Sequence, residues 1–166
     1  MSGLAVRAPR RDEVSRVWEL VNALAVYEKL EHEVGGDAPA LEADLFATPP
    51  RVECRVAERD GRLVGYALFY STYSSFRTRP GVWLEDLFVE PSERGRGTGR
   101  ALLAEVARIS LARGGRGVSW VVLDWNRPSI DFYERLGAAR TGAEWYVYAI
   151  GGEAIERLAA GKPPPD

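Results

Sequence analysis

Residues 82–103, VWLEDLFVEPSERGRGTGRALL, decide how the chain is read. Val82, Leu84, Leu87, Phe88 and Val89 form an apolar, aromatic and β-branched run that suits a buried strand. Glu85 and Asp86 interrupt it, and two adjacent carboxylates in such a run are costly unless they have a task or a partner. Pro91 ends the strand because it has no N–H to give a ladder. Arg94-Gly95-Arg96-Gly97-Thr98-Gly99 follows at once, and residues 100–107, RALLAEVA, have helical spacing. The segment is therefore a strand, a glycine-rich loop and the opening of a helix.

Glycines at 95, 97 and 99 free the backbone to bring several N–H groups towards one point. That point coincides with a helix N-terminus, where unpaired donors and the dipole favour an anion. Arg94, Arg96 and Arg100 add fixed positive charge shaped for phosphate oxygens. The loop has no Gly-Lys-Ser/Thr, so it is not a P-loop. A dinucleotide fingerprint begun at Gly95 or Gly97 would need its third glycine at Arg100 or Leu102. A nucleotide hydrolase and a Rossmann dehydrogenase are both disfavoured.

The loop resembles the Arg-x-x-Gly-x-Gly element that binds the pyrophosphate of coenzyme A in the GCN5-related N-acetyltransferases. Residues 84–89, LEDLFV, are similar to the diamine (spermidine/spermine-type) branch, and 124–129, DWNRPS, with Phe132-Tyr133, strengthen the resemblance to the family as a whole. Residues 123–126, LDWN, also resemble the sister branch that acetylates the side-chain amine of thialysine. The resemblance runs from Val6 to about Ala160.

It implies acetyl-CoA as co-substrate, no metal, and a small-molecule primary amine of diamine or polyamine type as acceptor. It implies Glu85 as the base that deprotonates the amine and Tyr133 as the acid for the leaving thiolate. Leu87, Phe88 and Val89 would meet the pantetheine arm, and Arg94, Gly95, Arg96, Gly97, Thr98, Gly99 and Arg100 the pyrophosphate. Asn126 and Ser129 match further cofactor contacts, while Tyr27, Glu28, Glu85 and Asp86 match the amine pocket. Strict alternation would put Asp86 on the face opposite Glu85; the family has a bulge here.

Each residue also has a plainer reading. Glu85 could be paired with an arginine, Tyr133 could be core, Asn126 could be only a helix cap, and Tyr27 and Glu28 could be the surface end of a helix. Trp83 is read as packing. Residues 73–79, YSSFRTR, carry serines and arginines where polyamine acetyltransferases have an Asp and a Trp. A substrate with a carboxylate would welcome Arg77 or Arg79. The alternatives are thus a thialysine- or lysine-type acceptor, a protein acetyltransferase, or a non-catalytic CoA-binding module.

Composition bounds these readings. The chain has 166 residues, 46% hydrophobic and 28% charged, as an ordinary globular domain has. Its net charge of −2 offers no global field for nucleic acid. Cys54 is the only cysteine and His32 the only histidine, so neither a disulfide nor a thiolate- or His-rich metal site is expected. The charged N-terminus does not look like a signal peptide and no run reaches the ~18 apolar residues of a membrane span. A cytoplasmic location is expected, without membrane partners.

The fold class expected is α/β, with a mixed sheet flanked by helices on both faces, in one domain over residues 1–166. Its core covers about 4–150, and a helix at 153–160 and a frayed tail at 161–166 follow. Strands are expected at 4–7, 52–58, 63–71, 82–89, 118–123 and 144–150. Asp-Gly at 60–61 joins two of them in a hairpin, and 74–81 reads as a polar loop. Helices are expected from Asp12 to about Glu28, after the cap Asp37, over 100–112, and from Pro128 to Gly137. Apolar residues around Trp145, Tyr146, Val147 and Tyr148, with the family precedent, suggest a homodimer.

Overall fold

In the computed structural model, which describes residues 3–142 and 147–162, the strand read at 82–89 is longer, Arg79–Val89. It lies fourth in a five-stranded sheet: β1 (Leu4–Arg7), β2 (Glu53–Arg59), β3 (Arg62–Ser74), β4 (Arg79–Val89) and β5 (Val118–Ser119), in chain order. β1 to β4 pair antiparallel and β5 joins β4 in parallel, so the sheet is mixed as expected. Asp60 and Gly61, at φ of 52° and 77°, make the two-residue β2–β3 turn that the sequence signals. The parallel step needs a crossover, and α3 (Thr98–Ala112) provides it.

Each face of the sheet has its own core. On one, α3 sets Leu102 and Val106 against Ala57, Val64, Phe69, Val82 and Leu84. On the other, α1 (Val14–Glu28) sets Val17 and Leu20 against Val56, Leu63, Tyr66 and Phe88, with α2 (Ala38–Leu45) at the margin. Each Val, Leu or Phe among them, fully buried, is worth roughly 1.5–3 kcal/mol. Cys54 is a small core residue whose thiol burial pushes up to about 12. Asp37 caps α2 as expected, its Oδ1 accepting from the Ala40 N–H at 2.8 Å. The first helix differs: a 3-10 turn, Arg11–Glu13, precedes it, and Glu13 rather than Asp12 precedes its first residue.

Further expectations change. The polar loop at 74–81 is half strand, because Tyr73 pairs with Pro80 and Ser74 with Arg79, leaving only residues 75–78 to turn. Side chains that are wet on both faces carry no apolar signal, although the backbone ladder continues beneath them. β5 ends at Ser119 instead of reaching 123. Of the last strand expected at 144–150, residues 144–146 lie outside the described residues and 147–150 belong to no strand. Trp145 and Tyr146 lie outside them too.

The chain divides into two compact units, Met1–Leu123 and Asp124–Asp166. The sheet, α1, α2 and α3 belong to the first. The second holds α4 (Arg127–Arg135) and α5 (Gly152–Ala159), at the positions expected.

Candidate active site

The β3–β4 register slips at the carboxylates. Phe69 faces Leu84 and Leu68 faces Asp86, which makes Glu85 the extra residue of a β-bulge. The slip changes parity along β4. Val82 and Leu84 pack on the α3 side before it and Leu87 and Val89 after it, while Phe88 joins the α1 side. Glu85 and Asp86 therefore both face the α1 side, which simple alternation would forbid.

Their surroundings differ. Glu85 is exposed, and its Oε2 accepts from the indole N–H of Trp83 at 3.0 Å. The Tyr70 hydroxyl bonds to it as well, and burial together with the Glu85 charge raises the phenol above its usual range. Tyr70 stands opposite Trp83 in the ladder. No arginine is paired with Glu85 among the described residues; its partners there are Trp83 and Tyr70. Trp83, read as packing, is a hydrogen-bond donor to it.

Asp86 is half-buried and accepts from the Tyr66 hydroxyl at 3.0 Å. Burial pushes its carboxyl up to about 6; the Tyr66 bond opposes this, and the charges of Glu85 and Glu28 add to it. Tyr66, fully buried, titrates well above the ordinary phenol range, first through burial and then through the charge and hydrogen bond of Asp86. Burial also raises Glu28, the last residue of α1. Three carboxylates thus share one region of the first unit, an arrangement that is unfavourable when empty and suits a cation. The sequence reading missed Tyr66, Tyr70 and Trp83; the i, i+4 spacing of the two tyrosines on β3 was the available signal.

Tyr27 ties this region to the loop. The Arg94 guanidinium lies 4.7 Å from the Tyr27 ring centroid and 5.7 Å from that of Phe88. Its Nε donates to the Val89 carbonyl at 3.0 Å. Gly95 and Gly97 have φ of 73° and 81°, with open space where a Cβ would stand. The first bond inside α3 runs from Ala101 N–H to Gly97 O, which leaves the N–H groups of Thr98, Gly99 and Arg100 outside the helix ladder.

The side chains of the loop divide. Thr98 is buried and its hydroxyl accepts from Arg59 Nη2 at 3.1 Å. Arg59 Nε pairs with Glu93 at 2.9 Å, and Glu93 holds Arg96 at 2.8 Å. Arg96 and Thr98 therefore brace the loop with their side chains, and Thr98 offers a ligand only its backbone. Arg100 is exposed, with no ion pair among the described residues.

β5 pairs with β4 only at Val82↔Val118 and Trp83↔Ser119. Among the described residues, 84–89 of β4 have no strand beyond them on that side. An unpaired backbone edge bearing Leu87, Phe88 and Val89 thus runs up to the loop, as the resemblance implies for an extended ligand.

In the second unit, Asn126 is buried and caps α4, its Oδ1 accepting from the Ser129 N–H at 3.3 Å. Pro128 sits in the first turn. Tyr133 is half-buried on α4, its ring 5.2 Å from that of Phe132 at a tilt of 57°. The capping role of Asn126 is thus real.

A helix start with free N–H groups, an open strand edge leading to it and acids at a bulge on that strand are the parts that the resemblance implies for an N-acyltransferase. Residues 14–138 match the acetyltransferase (GNAT) family, and the chain belongs to it. It is 36% identical over 169 residues to a thialysine N-epsilon-acetyltransferase of Bos taurus, across 96% of this chain and 99% of that one. A spermidine/spermine N(1)-acetyltransferase-like protein 1 of Homo sapiens is 27% identical across 96% of this chain and 24% of its own. Among solved structures, an integron cassette protein of V. cholerae matches with TM-score 0.76 at 20% identity, over 96% of this chain and 98% of that one. An aminoglycoside N-acetyltransferase in complex with CoA matches with TM-score 0.71 at 24% identity, over 90% and 96%. The enzyme is an N-acetyltransferase by family and fold.

Proposed function

We propose that this enzyme transfers the acetyl group of acetyl-CoA directly to a primary amine of a small cationic molecule, within a ternary complex. The observation that carries this reading is the bulge, which turns Glu85 and Asp86 to the side of Glu28 beside the open edge of β4. Acetyl-CoA, when bound, supplies an activated thioester carbonyl. The N–H groups of residues 98–100 and Arg100 hold its pyrophosphate, the β4 edge at 87–89 its pantetheine arm, and Asn126 and Ser129 complete the contacts. Asp86 and Glu28 hold the ammonium. Glu85, kept in place by Trp83 and Tyr70, takes the amine proton through water, and Tyr133 returns a proton to the leaving thiolate. One N–C bond forms and one C–S bond breaks; of the two protons that the ammonium nitrogen loses, one leaves through Glu85 to water and the other balances the proton that sulfur gains.

A second reading, an amino-acid side-chain amine of thialysine type, is favoured by the 36% identity over nearly the whole chain. Distance disfavours the idea that Arg77 or Arg79 holds the carboxylate of such a substrate within one chain. Arg79 stands six residues along β4 from Glu85, about 20 Å between backbones at ~3.3 Å per residue, so both side chains and the substrate would have to be fully extended. The first experiment is CoA-thiol release from acetyl-CoA against spermidine, putrescine, thialysine, lysine and a short peptide. Selective turnover of the diamines or polyamines supports the first reading and turnover of thialysine alone the second. Silence with every amine, alongside tight CoA binding, overturns both.

The same reading includes a homodimer and a cytoplasmic site of action. Val147 and Tyr148, 91% and 89% exposed, support an apolar interface. Cys54, a buried free thiol, is compatible with a reducing compartment. No helix among the described residues is long and apolar enough to cross a membrane.

A further inference from the structure

Three arginines that the acetyl-transfer site does not use gather elsewhere in the first unit. A groove of about 230 Å³ lies between the β3–β4 hairpin and the start of β5, and Thr72, Ser74, Arg77, Arg79, Arg116 and Ser119 are among its lining residues. Most arginines of this unit are neutralised by carboxylates. Among the described residues, those of the unit that are in no ion pair fall in two places. Arg94 and Arg100 are on the glycine loop, and Arg77, Arg79 and Arg116 line this groove.

The neighbouring Arg113 shows the contrast. Both of its terminal nitrogens are held by Glu53 at 2.7 Å. Among the described residues, Arg79 makes one bond, from its Nε to the Arg77 carbonyl at 3.4 Å, and the fork of its guanidinium is in no ion pair. Concentrating like charge around one concavity is unfavourable unless an anion enters it. Guanidinium forks beside the hydroxyls of Thr72, Ser74 and Ser119 form a donor set for phosphate or carboxylate oxygens. The volume is below the ~300 Å³ at which drug-sized pockets begin, so it suits one small anion rather than a nucleotide.

We propose that this groove is a binding site for a small phosphate- or carboxylate-bearing anion, separate from the acetyl-transfer site. It lies at the end of β4 where Arg79 stands, while the glycine loop follows Val89 at the other end.

Calorimetric titration of the full chain tests it, with inorganic phosphate and succinate as separate probes and CoA present in saturating amount to fill the glycine loop. At least one probe is expected to bind at one equivalent, and which one binds names the chemistry. The Arg79→Gln/Arg116→Gln double variant is expected to weaken that binding at least tenfold, with CoA affinity and acetyl transfer unchanged. No uptake of either anion by the CoA-saturated chain overturns the proposal, and so does equal affinity in the double variant. Failure of CoA itself to bind counts against the proposed function instead, and the difference between wild type and double variant still reads the groove.

Discussion

The two carboxylates at the bulge have different surroundings, and these assign them different work. Glu85 is wet and fixed by two donors, as a base that works through water requires. Replacing it with Gln is expected to lower kcat most at low pH and to approach wild type towards pH ~10, where the amine is already free. A ratio to wild type that stays flat across pH would remove Glu85 as the base. Tyr133→Phe should cut turnover by roughly 10²-fold or more while CoA affinity holds, since only the proton donor is lost. Unchanged turnover would return Tyr133 to the core. Asp86 works as a charge. The Tyr66 hydroxyl lowers its carboxyl pKa against the burial that holds it at about 6. Tyr66→Phe should therefore move it higher, and the acidic limb of the amine KM profile should shift upward in pH. A limb that does not move would separate Asp86 from amine binding.

At the scale of elements, Gly65 decides how closely β3 and β4 approach. A Cβ there would lie 2.7 Å from the Phe88 carbonyl oxygen and 3.2 Å from Val89 Cγ2. Gly65→Ala must push β4 away just where its open edge leads to the loop. A loss of roughly 1–3 kcal/mol is expected, together with weaker CoA binding, and melting combined with CoA titration checks both. Full CoA affinity would show that the edge tolerates displacement. The strand, loop and helix of 79–112 were legible in the sequence because their signals are local: an apolar run, a proline, glycines and a helical period. The bulge was expected only through the family resemblance, because one extra residue leaves the run apolar on both sides of it and shows only in the register with β3. The extended hairpin was hidden for a related reason, since its side chains meet water. The short β5 escaped too, because Trp120, Val121 and Val122 have strand propensity, yet the sheet does not use them. Glu85 and Asp86 stood out as misplaced charges, but their donors lie on β3 or two positions back along β4, and no motif links them.

At the scale of the whole molecule, two carboxyl groups answer pH in opposite senses. Arg7 holds Glu13 down to about 2, chiefly by hydrogen bonding, and the same guanidinium binds Glu58, joining β1, the start of α1 and β2. A depressed carboxylate stabilises the fold above its ordinary value of 4.5, and that contribution is lost as pH falls towards 2. Asp86 is the reverse case. Raised from 3.8 to about 6, it binds a proton more tightly folded than unfolded, so stability declines as pH rises across that window and stays lower above it. These two groups therefore place the greatest stability of the ligand-free chain near pH ~4–5. Asp86→Asn should abolish the decline between the two values and raise Tm at pH 7.5. About 1–2 kcal/mol, allowing for screening, corresponds to a few degrees in a chain of this length. Glu13→Gln should lower Tm at pH 7.5 and converge with wild type near pH 2. A bound amine that neutralises Asp86 should likewise raise Tm more at pH 7.5 than at pH 5. Melting curves of Asp86→Asn that overlay wild type at every pH would show that the bulge carries no buried charge, and the cation site would then have to rest on Glu28 and Glu85.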